Sequence, residues 1–186
     1  GIEIKKATAA DVEEIERMYD ALNDHLAAGT NWPGGKKGVY PVRQNALDGL
    51  AEDALYVARL QPGGPIAGSV VLNHLPETPP VHGRWLIEAT DDEVLAVHVF
   101  VVHPTYMRRG VGTALLAFAE RLAADWRMKS LRLDVYEKNL PAIHTYERCG
   151  YQYIDTVDIG LGPYGLDWFR LYAKLVPPRP YSRVAS

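Results

Sequence analysis

A short turn with two arginines and two glycines is the part of this sequence best suited to binding an anion. The turn reads MRRGVG, with Arg108 and Arg109 followed by Gly110 and Gly112. Glycine removes side chains where a helix begins, and the unpaired N–H groups there, with the positive end of the helix dipole, attract negative charge. The turn therefore predicts a phosphate or pyrophosphate site, although two glycines at such a turn serve close packing just as often.

One histidine interrupts an otherwise apolar run. His98 lies within Val94–Val102, and histidine is the side-chain type that titrates near neutral pH, which suits a general base or a proton relay through water. A single histidine in a strand is more often a core side chain with a satisfied hydrogen bond, so both interpretations stay open. Three carboxylates are alternative bases that the sequence does not rank: Glu88, Glu93 and Asp134.

Three successive elements must position these groups. The run Val94–Val102 is rich in β-branched residues, which predicts a strand covered on both faces. After the turn, apolar residues recur at helical spacing and predict an amphipathic helix of about four turns: Val111, Leu115, Phe118, Leu122 and Trp126. Alternation in 131–136 predicts the next strand, so the order strand, helix, strand implies a right-handed parallel crossover.

The flanking sequence predicts a sheet larger than this unit. Alternation indicates further strands at 2–6, 55–60, 66–72, 151–157 and 166–176, with QPGGP joining the second and third as an antiparallel hairpin. Helices are predicted after Thr8, within 41–51 and after Asn139, which can cap the last of them. These elements predict the α/β (α+β) class, with a mixed, mostly antiparallel sheet and helices on both faces.

Length, charge and cysteine content restrict the domain number, the partners and the cellular compartment that we expect. The chain has 186 residues, 47% of them hydrophobic, so we expect one domain. Its formal charge of −3 offers no general attraction to nucleic acid or to anionic membranes, so we expect neither as a partner. Its single cysteine, Cys149, fits a reducing compartment and is interpreted as a packed thiol at a helix end. Because no apolar run has membrane length and no signal-peptide pattern is present, a cytoplasmic location is expected.

The turn resembles the hallmark of a known family. HPTYMRRGVGTALL is similar to the Q/R-x-x-G-x-G/A motif of the GCN5-related N-acetyltransferase (GNAT) family. Gly110 and Gly112 fall on the two glycine positions of that motif and Arg109 lies directly before them, whereas Met107 occupies its Q/R position. This departure puts one side-chain contact to the cofactor in doubt. Backbone donors, which the family mainly uses for the pyrophosphate of acetyl-CoA, are unaffected.

A second segment makes the resemblance more specific. LRLDVYEKNLPAIHTYERCGY carries Asn139, Tyr146 and Gly150 at family-like spacing, and the two motifs together cover roughly residues 94 to 155. The resemblance implies a single GNAT-like acetyltransferase domain over 2–176, followed by a proline-containing tail, 177–186. It also implies direct transfer of an acetyl group from acetyl-CoA to an amine.

The same resemblance implies which residues bind acetyl-CoA. The central strand would splay from the next strand so that backbone groups of Phe100–Val102 contact the pantetheine and thioester. The turn Arg108–Thr113 would receive the pyrophosphate, and Asn139 would hold the pantetheine arm. The implied cofactor-binding residues are Phe100, Val101, Val102, Arg108, Arg109, Gly110, Val111, Gly112, Thr113 and Asn139.

Two side chains match catalytic positions of the family. Tyr146 corresponds to the frequent general acid, and His98 falls where serotonin N-acetyltransferases place a strand histidine. Against this, Tyr146 follows Ile143 by three residues and could simply belong to the apolar face of its helix. Some family members also protonate the leaving thiolate through water.

The sequence says less about the acceptor and the binding partners than about the cofactor site. Three aromatic residues in loops, Trp32, Tyr40 and Trp85, would suit a small amine or a peptide or protein amino group, and would equally suit hydrophobic packing. A homodimer stays open. No metal is predicted, because the other histidines show no metal-ligand spacing: His25, His74, His82, His103 and His144.

Two alternative functions compete with the acetyltransferase. A catalytically silent acyl-CoA-binding regulatory module would keep the glycine turn and lose the proton-transfer residues, so the presence of Tyr146 and Asn139 favours the enzyme. A dinucleotide-binding Rossmann protein is disfavoured, because the turn follows several earlier strands and lacks the full GxGxxG pattern.

Overall fold

One seven-stranded sheet organises the chain. The computed structural model describes residues 1–29, 34, 40–74 and 85–177. The strands occur in the order β1-β2-β3-β4-β5-β7-β6, and every neighbouring pair is antiparallel except β4 and β5. The strands are β1 (Glu3–Lys6), β2 (Leu55–Arg59), β3 (Ile66–Asn73), β4 (Val94–Val102), β5 (Ser130–Tyr136), β6 (Gln152–Val157) and β7 (Phe169–Leu175).

Helices cover both faces of this sheet. They are α1 (Val12–Ala28), α2 (Arg43–Ala51), α3 (Val111–Asp125) and α4 (Leu140–Arg148). One apolar core lies under α3 and α4, and a second lies under α1 and α2. The predicted class, a mixed and mostly antiparallel sheet with helices on both faces, is confirmed. Within the described ranges, no helix is both long enough and apolar enough to cross a membrane.

The helix ends follow the local sequence signals. The Thr8 N–H donates to Asp11 Oδ2 at 2.9 Å just before α1, as the predicted cap requires. Asn139 caps α4 by accepting from the Ala142 N–H at 3.4 Å. Gly150 ends the same helix with a φ of 89°, which a residue with a side chain adopts at a cost. These signals are local, and therefore the sequence alone predicts them.

The buried face of α3 differs from the predicted one. Trp126, assigned to that face, is 42% exposed, whereas Leu116, Ala119 and Ala123 are buried. The small alanines let α3 approach β3 and β4 closely. The larger Phe118 packs at the edge of this contact. Helical spacing identified the helix correctly, but the choice of side depended on which neighbours it packs against.

The last strand is shorter than predicted. The expected strand 166–176 begins only at Phe169, because the chain first forms a 3₁₀ turn at Gly162–Tyr164 and then runs irregularly to residue 168. The hairpin of β2 and β3 is antiparallel, as predicted. Of the predicted tail, residues 178–186 lie outside the described residues.

A bulge re-aims the side chains of β4. Val71 of β3 pairs with His98, and Ser69 pairs with Val101, so β4 carries an extra residue between these pairs. Within the bulge Val99 has a φ of 46°, a region that a β-branched residue rarely adopts. As a result, Phe100 packs toward α3, while His98 shares the α1 side with its partner Val71.

Candidate active site

The parallel strands β4 and β5 separate partway along their length. Their pairing covers Val94–Ala96 of β4 and Ser130–Arg132 of β5. Both strands continue, to Val102 and Tyr136, without further pairing to each other. The edge of β4 that faces the gap therefore offers backbone donors and acceptors that β5 does not use, and an extended guest could pair with them. We call this opening the splay.

The turn before α3 presents free backbone donors at the mouth of the splay. Gly110 occupies the N-cap with a φ of 79° and offers no side chain that could cap the helix. The N–H groups of the first turn, from Val111 to Thr113, therefore point outward without a side-chain acceptor at the cap. Arg109 lies near the ring of Tyr106, 6.0 Å from its centroid. This arrangement suits a phosphate or pyrophosphate.

Gly112 has a packing role as well. A Cβ built on Gly112 would lie 3.2 Å from Phe100 Cζ and 3.6 Å from Val102 Cγ2. The glycine therefore lets the first turn of α3 approach β4, whatever it contributes to an anion site. Close packing therefore explains Gly112. Nothing lies within 4 Å of a Cβ built on Gly110, so packing does not explain that glycine, and anion binding there stays a prediction.

Tyr146 connects α4 to the bulged strand. The residue is 6% exposed, and its ring centroid lies 6.0 Å from that of Phe100 and 5.9 Å from that of Tyr151. Burial raises the pKa of the Tyr146 phenol well above its usual value, and the nearby Asp134 and Tyr40 raise it further. The hydroxyl therefore stays protonated throughout the physiological pH range and is available as a proton donor.

The opposite face of the splay carries the candidate bases. Leu133 of β5 packs into the core under α3, so the alternation of the strand puts Asp134 on the α1 face, where His98 of β4 also lies. Both are two residues beyond the last pair, Ala96 with Arg132. Tyr146 therefore approaches the splay from the α3 and α4 face, and His98 and Asp134 approach it from the α1 face. Asp134 is still near enough to raise the pKa of Tyr146.

The two other carboxylates lie elsewhere. Glu93 precedes β4, forms an ion pair with Lys129 at 2.9 Å and accepts from the Thr90 N–H at 3.0 Å. The hydrogen bond from Thr90, together with Lys129, lowers the pKa of Glu93 to about 2, which makes it a weak base. Glu88 is exposed and lines a cavity at the closed end of the splay. Asp134 is therefore the carboxylate of the three that geometry favours.

Two cavities adjoin the sheet. The smaller, about 320 Å³, lies between α3 and α4 and is lined by Thr113, Leu116, Ala117, Glu120, Arg148, Cys149, Gly150, Tyr151 and Lys174. Its position next to the first turn of α3 continues the anion site along the groove between the two helices. The larger, about 990 Å³, lies on the α1 face and is lined by residues 85–90 with Glu93, Lys129 and Arg132.

Of the three aromatic residues predicted to contact the acceptor, the structure describes two. Trp85 stacks on Arg132, with the guanidinium carbon 4.0 Å from the ring centroid, at the edge of the larger cavity. Tyr40 is 48% exposed, and its carbonyl accepts from the Asn23 side-chain amide at 3.1 Å. Trp32 lies outside the described residues. Arg132 was not identified from the sequence, although a charged residue at a polar position of a central strand was the available signal.

Two further expectations concern reactive groups. Cys149 follows the last residue of α4, and its carbonyl accepts from Lys174 Nζ at 2.7 Å. Its thiol packs at the edge of the core under α3 and α4. Across the parts of the chain that the structure describes, no three His, Cys, Asp or Glu side chains come together in a way that could hold a metal ion.

Sequence comparison gives a family match. The model of the acetyltransferase (GNAT) family matches residues 16–151. A kanamycin resistance protein of Rhizobium radiobacter is 33% identical over 82 residues, which cover 44% of this chain and 76% of that protein. The peptidyl-lysine N-acetyltransferase YiaC of Escherichia coli K12 is 39% identical over 54 residues, which cover 29% of this chain and only about a third, 34%, of that protein.

Structural comparison agrees over nearly the whole chain. An acetyltransferase of the GNAT family from Streptococcus agalactiae has a TM-score of 0.73 at 21% identity, covering 94% of this chain and 95% of that one. The acetyltransferase yncA of Salmonella typhimurium, solved with acetyl-CoA, has a TM-score of 0.63 at 15% identity and covers 96% of both chains. At these identities the likeness shows the fold.

Proposed function

Because this chain belongs to the acetyltransferase (GNAT) family, we propose that it transfers the acetyl group of acetyl-CoA directly to a primary amine. The amine belongs to a small molecule or to a protein or peptide. The observation that carries this proposal is the splay of β4 from β5 beside the uncapped start of α3. An unused strand edge next to an anion site matches the two chemically different parts of acetyl-CoA, its amide-containing arm and its pyrophosphate.

Residues of this chain fit each part of that co-substrate. The N–H groups at the start of α3, with Arg108 and Arg109, would hold the pyrophosphate. The β4 edge at Phe100–Val102 would pair with the pantetheine amides and hold the thioester carbonyl. Asn139 uses its side-chain oxygen as the cap of α4, so its amide nitrogen is the atom left to contact the pantetheine arm.

The transfer needs a base on one side of the thioester and an acid on the other. The neutral amine nitrogen attacks the carbonyl carbon, the carbon–sulfur bond breaks, and the electron pair leaves with sulfur as thiolate. His98 or Asp134, on the α1 face, would accept the proton that the amine loses. Tyr146, on the α3 and α4 face, would protonate the thiolate. The two proton transfers would thus take place from opposite faces of the splay.

The buried phenol has both an advantage and a cost as the acid. Its raised pKa keeps Tyr146 protonated until the thiolate forms, but it also makes the phenol a weaker acid than an exposed tyrosine. The leaving thiolate forms in the same apolar surroundings, which raise its own proton affinity by the same desolvation effect. The proton affinities of the phenol and the thiolate are therefore closer to each other than the raised pKa of Tyr146 alone would imply.

The named relatives support both classes of acceptor. One is a kanamycin resistance protein and the other acts on peptidyl-lysine. For this chain the aromatic pair Tyr40 and Trp85, on the same side of the splay as His98, supports an acceptor that enters from the α1 face.

The test is acetyl-CoA turnover on a panel of amines, followed by thiol release, with calorimetric binding of acetyl-CoA measured on the same sample. We expect micromolar to millimolar acetyl-CoA affinity and acceptor-dependent thiol release. Binding without turnover on any amine would instead support the silent acyl-CoA-binding module. Absence of acetyl-CoA binding by the folded protein would contradict the proposal.

A further inference from the structure

Arg132 is a buried cation whose hydrogen-bonding groups are largely unused. It lies in β5, and its residue surface is 8% exposed. Its Nε has no hydrogen-bond partner, and within the described residues the guanidinium makes no ion pair. Instead, the guanidinium stacks under the Trp85 ring at 4.0 Å and lies within the longer-range field of Asp91.

Such an arrangement is costly unless another group completes it. A guanidinium presents five N–H donors in a planar fork, and burying a charge without a hydrogen-bonded counter-ion is strongly unfavourable. Burial lowers the pKa of Arg132 from its usual value, in keeping with this cost. Stacking on an indole offsets part of it, because the ring face attracts a cation, but leaves the N–H edge unused.

The cavity next to Arg132 contains a second cation that is already neutralised. Lys129 and Arg132 both line the 990 Å³ cavity, and Lys129 forms its ion pair with Glu93 at 2.9 Å. Glu88 lines the same cavity from its exposed rim. Of the two cations that line this cavity, Arg132 is therefore the one without a counter-ion among the described residues, and an anion bound there would meet a planar fork of donors.

The position of Arg132 ties this cavity to the splay. Arg132 pairs with Ala96 in the last pair before β4 and β5 separate. His98 and Asp134 follow on the same face, two residues along their strands, a distance of roughly 6.6 Å at about 3.3 Å per residue. One small molecule could therefore reach the guanidinium with one end and the candidate bases with the other.

We propose that Arg132 binds an anionic group of the acceptor, in the simplest case a carboxylate, so that the acceptor is a small amine that also carries a negative charge. Trp85 forms the lid of this subsite and holds the guanidinium plane in place. The inference rests on the proposed acetyl transfer and specifies its acceptor. It favours amino-acid-like amines over amines that lack an anionic group.

The test compares matched acceptors with and without the negative charge. α-Amino acids, ω-amino acids of graded length and dipeptides are each assayed beside their C-terminal amides, and aminoalkylphosphonates beside their esters. We expect the parent enzyme to favour the best acid over its amide by at least about 30-fold in kcat/KM, the worth of a charged hydrogen-bonded pair. The carboxylate and phosphonate series show which anion the fork accepts.

Variants of Arg132 assign that preference to the guanidinium. Arg132→Gln should reduce the acid-to-amide ratio to within about threefold of one, and Arg132→Lys, which keeps the charge without the fork, should retain an intermediate ratio. Arg121→Gln removes the same charge from an exposed site on α3 and should keep the parent ratio. A merely structural loss would slow acid and amide alike, so the ratio separates binding from folding.

Calorimetry provides a readout without turnover. The acid, titrated into the enzyme with bound coenzyme A, should bind at least about 10-fold more tightly than its amide in the parent and no more tightly in Arg132→Gln. An acid-to-amide ratio near one in the parent enzyme, with amines turned over efficiently, would overturn this inference and leave acetyl transfer intact. A preference that survives in Arg132→Gln would overturn it equally.

Discussion

The rings of Phe100 and Tyr146 lie 6.0 Å apart, and this contact joins the bulged strand β4 to helix α4 on the α3 and α4 side of the splay. It exists because the bulge at Val99 turns Phe100 toward α3 and α4 while leaving His98 on the other face. The bulge thus brings Phe100 against the candidate acid Tyr146, while the candidate base His98 stays on the opposite face of the splay.

The anion site at the start of α3 can be tested without disturbing packing. Thr113 is exposed in the first turn, so Thr113→Glu adds a negative charge where a carboxylate also favours the helix. Acetyl-CoA affinity should fall by on the order of 10- to 100-fold, as expected for a screened like-charge contact. Calorimetry would measure this loss.

The matched control for the charge is Thr113→Gln, which has the same size and should lose much less affinity. Gly112 is a poorer position for this test, since any Cβ there meets Phe100 at 3.2 Å. Equal affinities of the Glu and Gln variants would place the pyrophosphate elsewhere.

The role of His98 can be separated from that of Asp134 by pH–rate profiles. If His98 accepts the proton of the amine, His98→Ala should lower kcat/KM by about 10²-fold or more and remove one ionisation from the profile. Asp134→Asn should then reduce the rate while that ionisation persists. The opposite pattern, with the parent profile kept in a folded His98→Ala, would give the role to Asp134 or to water.

Cys149 should matter for packing and little for chemistry. Its thiol packs at the edge of the core, so Cys149→Ala should cost about 1 kcal/mol of unfolding free energy. Turnover should stay within about twofold of the parent, because direct transfer uses no acyl-enzyme. Trapping an acetylated Cys149 that passes its acetyl group to an amine would contradict direct transfer.

The ionised carboxylate of Glu93 should make a pH-dependent contribution to the stability of the folded state. The hydrogen bond from Thr90 and the ion pair with Lys129 lower its pKa from 4.5 to about 2, so the folded state holds the carboxylate ionised more firmly than the unfolded chain does. This contribution is fully present above pH about 4.5 and is lost as the pH falls toward 2.

Urea unfolding of the parent and of Glu93→Gln would measure this effect. The stability difference between them should shrink steadily from pH 5 to pH 2, as the linkage of proton binding to folding requires. Glu13→Gln, at an exposed position of α1, corrects for the change in net charge. A difference that stays constant with pH would show that Glu93 is not selectively held in the folded state.

The features that the sequence predicted are those decided by neighbours along the chain. Residues only a few positions apart determine the caps at Thr8 and Asn139, the αL glycine at Gly150 and the strand Val94–Val102. The GNAT resemblance, confirmed by the family match, added the separation of the central strand from the next strand.

The features that the sequence missed are decided by distant contacts. A valine at positive φ has no local signal, because Val99 adopts that conformation only where β3 fixes the strand on both sides of it. The exposure of Trp126 and the burial of Ala119 reflect how closely α3 approaches the sheet. In the sequence Arg132 is indistinguishable from an ordinary polar strand position, because Trp85, which stacks on it, lies 47 positions earlier.

Direct acetyl transfer in the splay requires an acid that protonates the leaving thiolate, and we propose Tyr146 for that role. Tyr146→Phe removes one hydroxyl and keeps the ring against Phe100 and Tyr151, so the fold and acetyl-CoA affinity should hold. Single-turnover measurement isolates the chemical step from product release. If Tyr146 is the acid, the rate of that step should fall by on the order of 10² to 10⁴ while acetyl-CoA binding stays unchanged. Parent-like single-turnover chemistry in Tyr146→Phe would contradict that role and leave water as the proton donor.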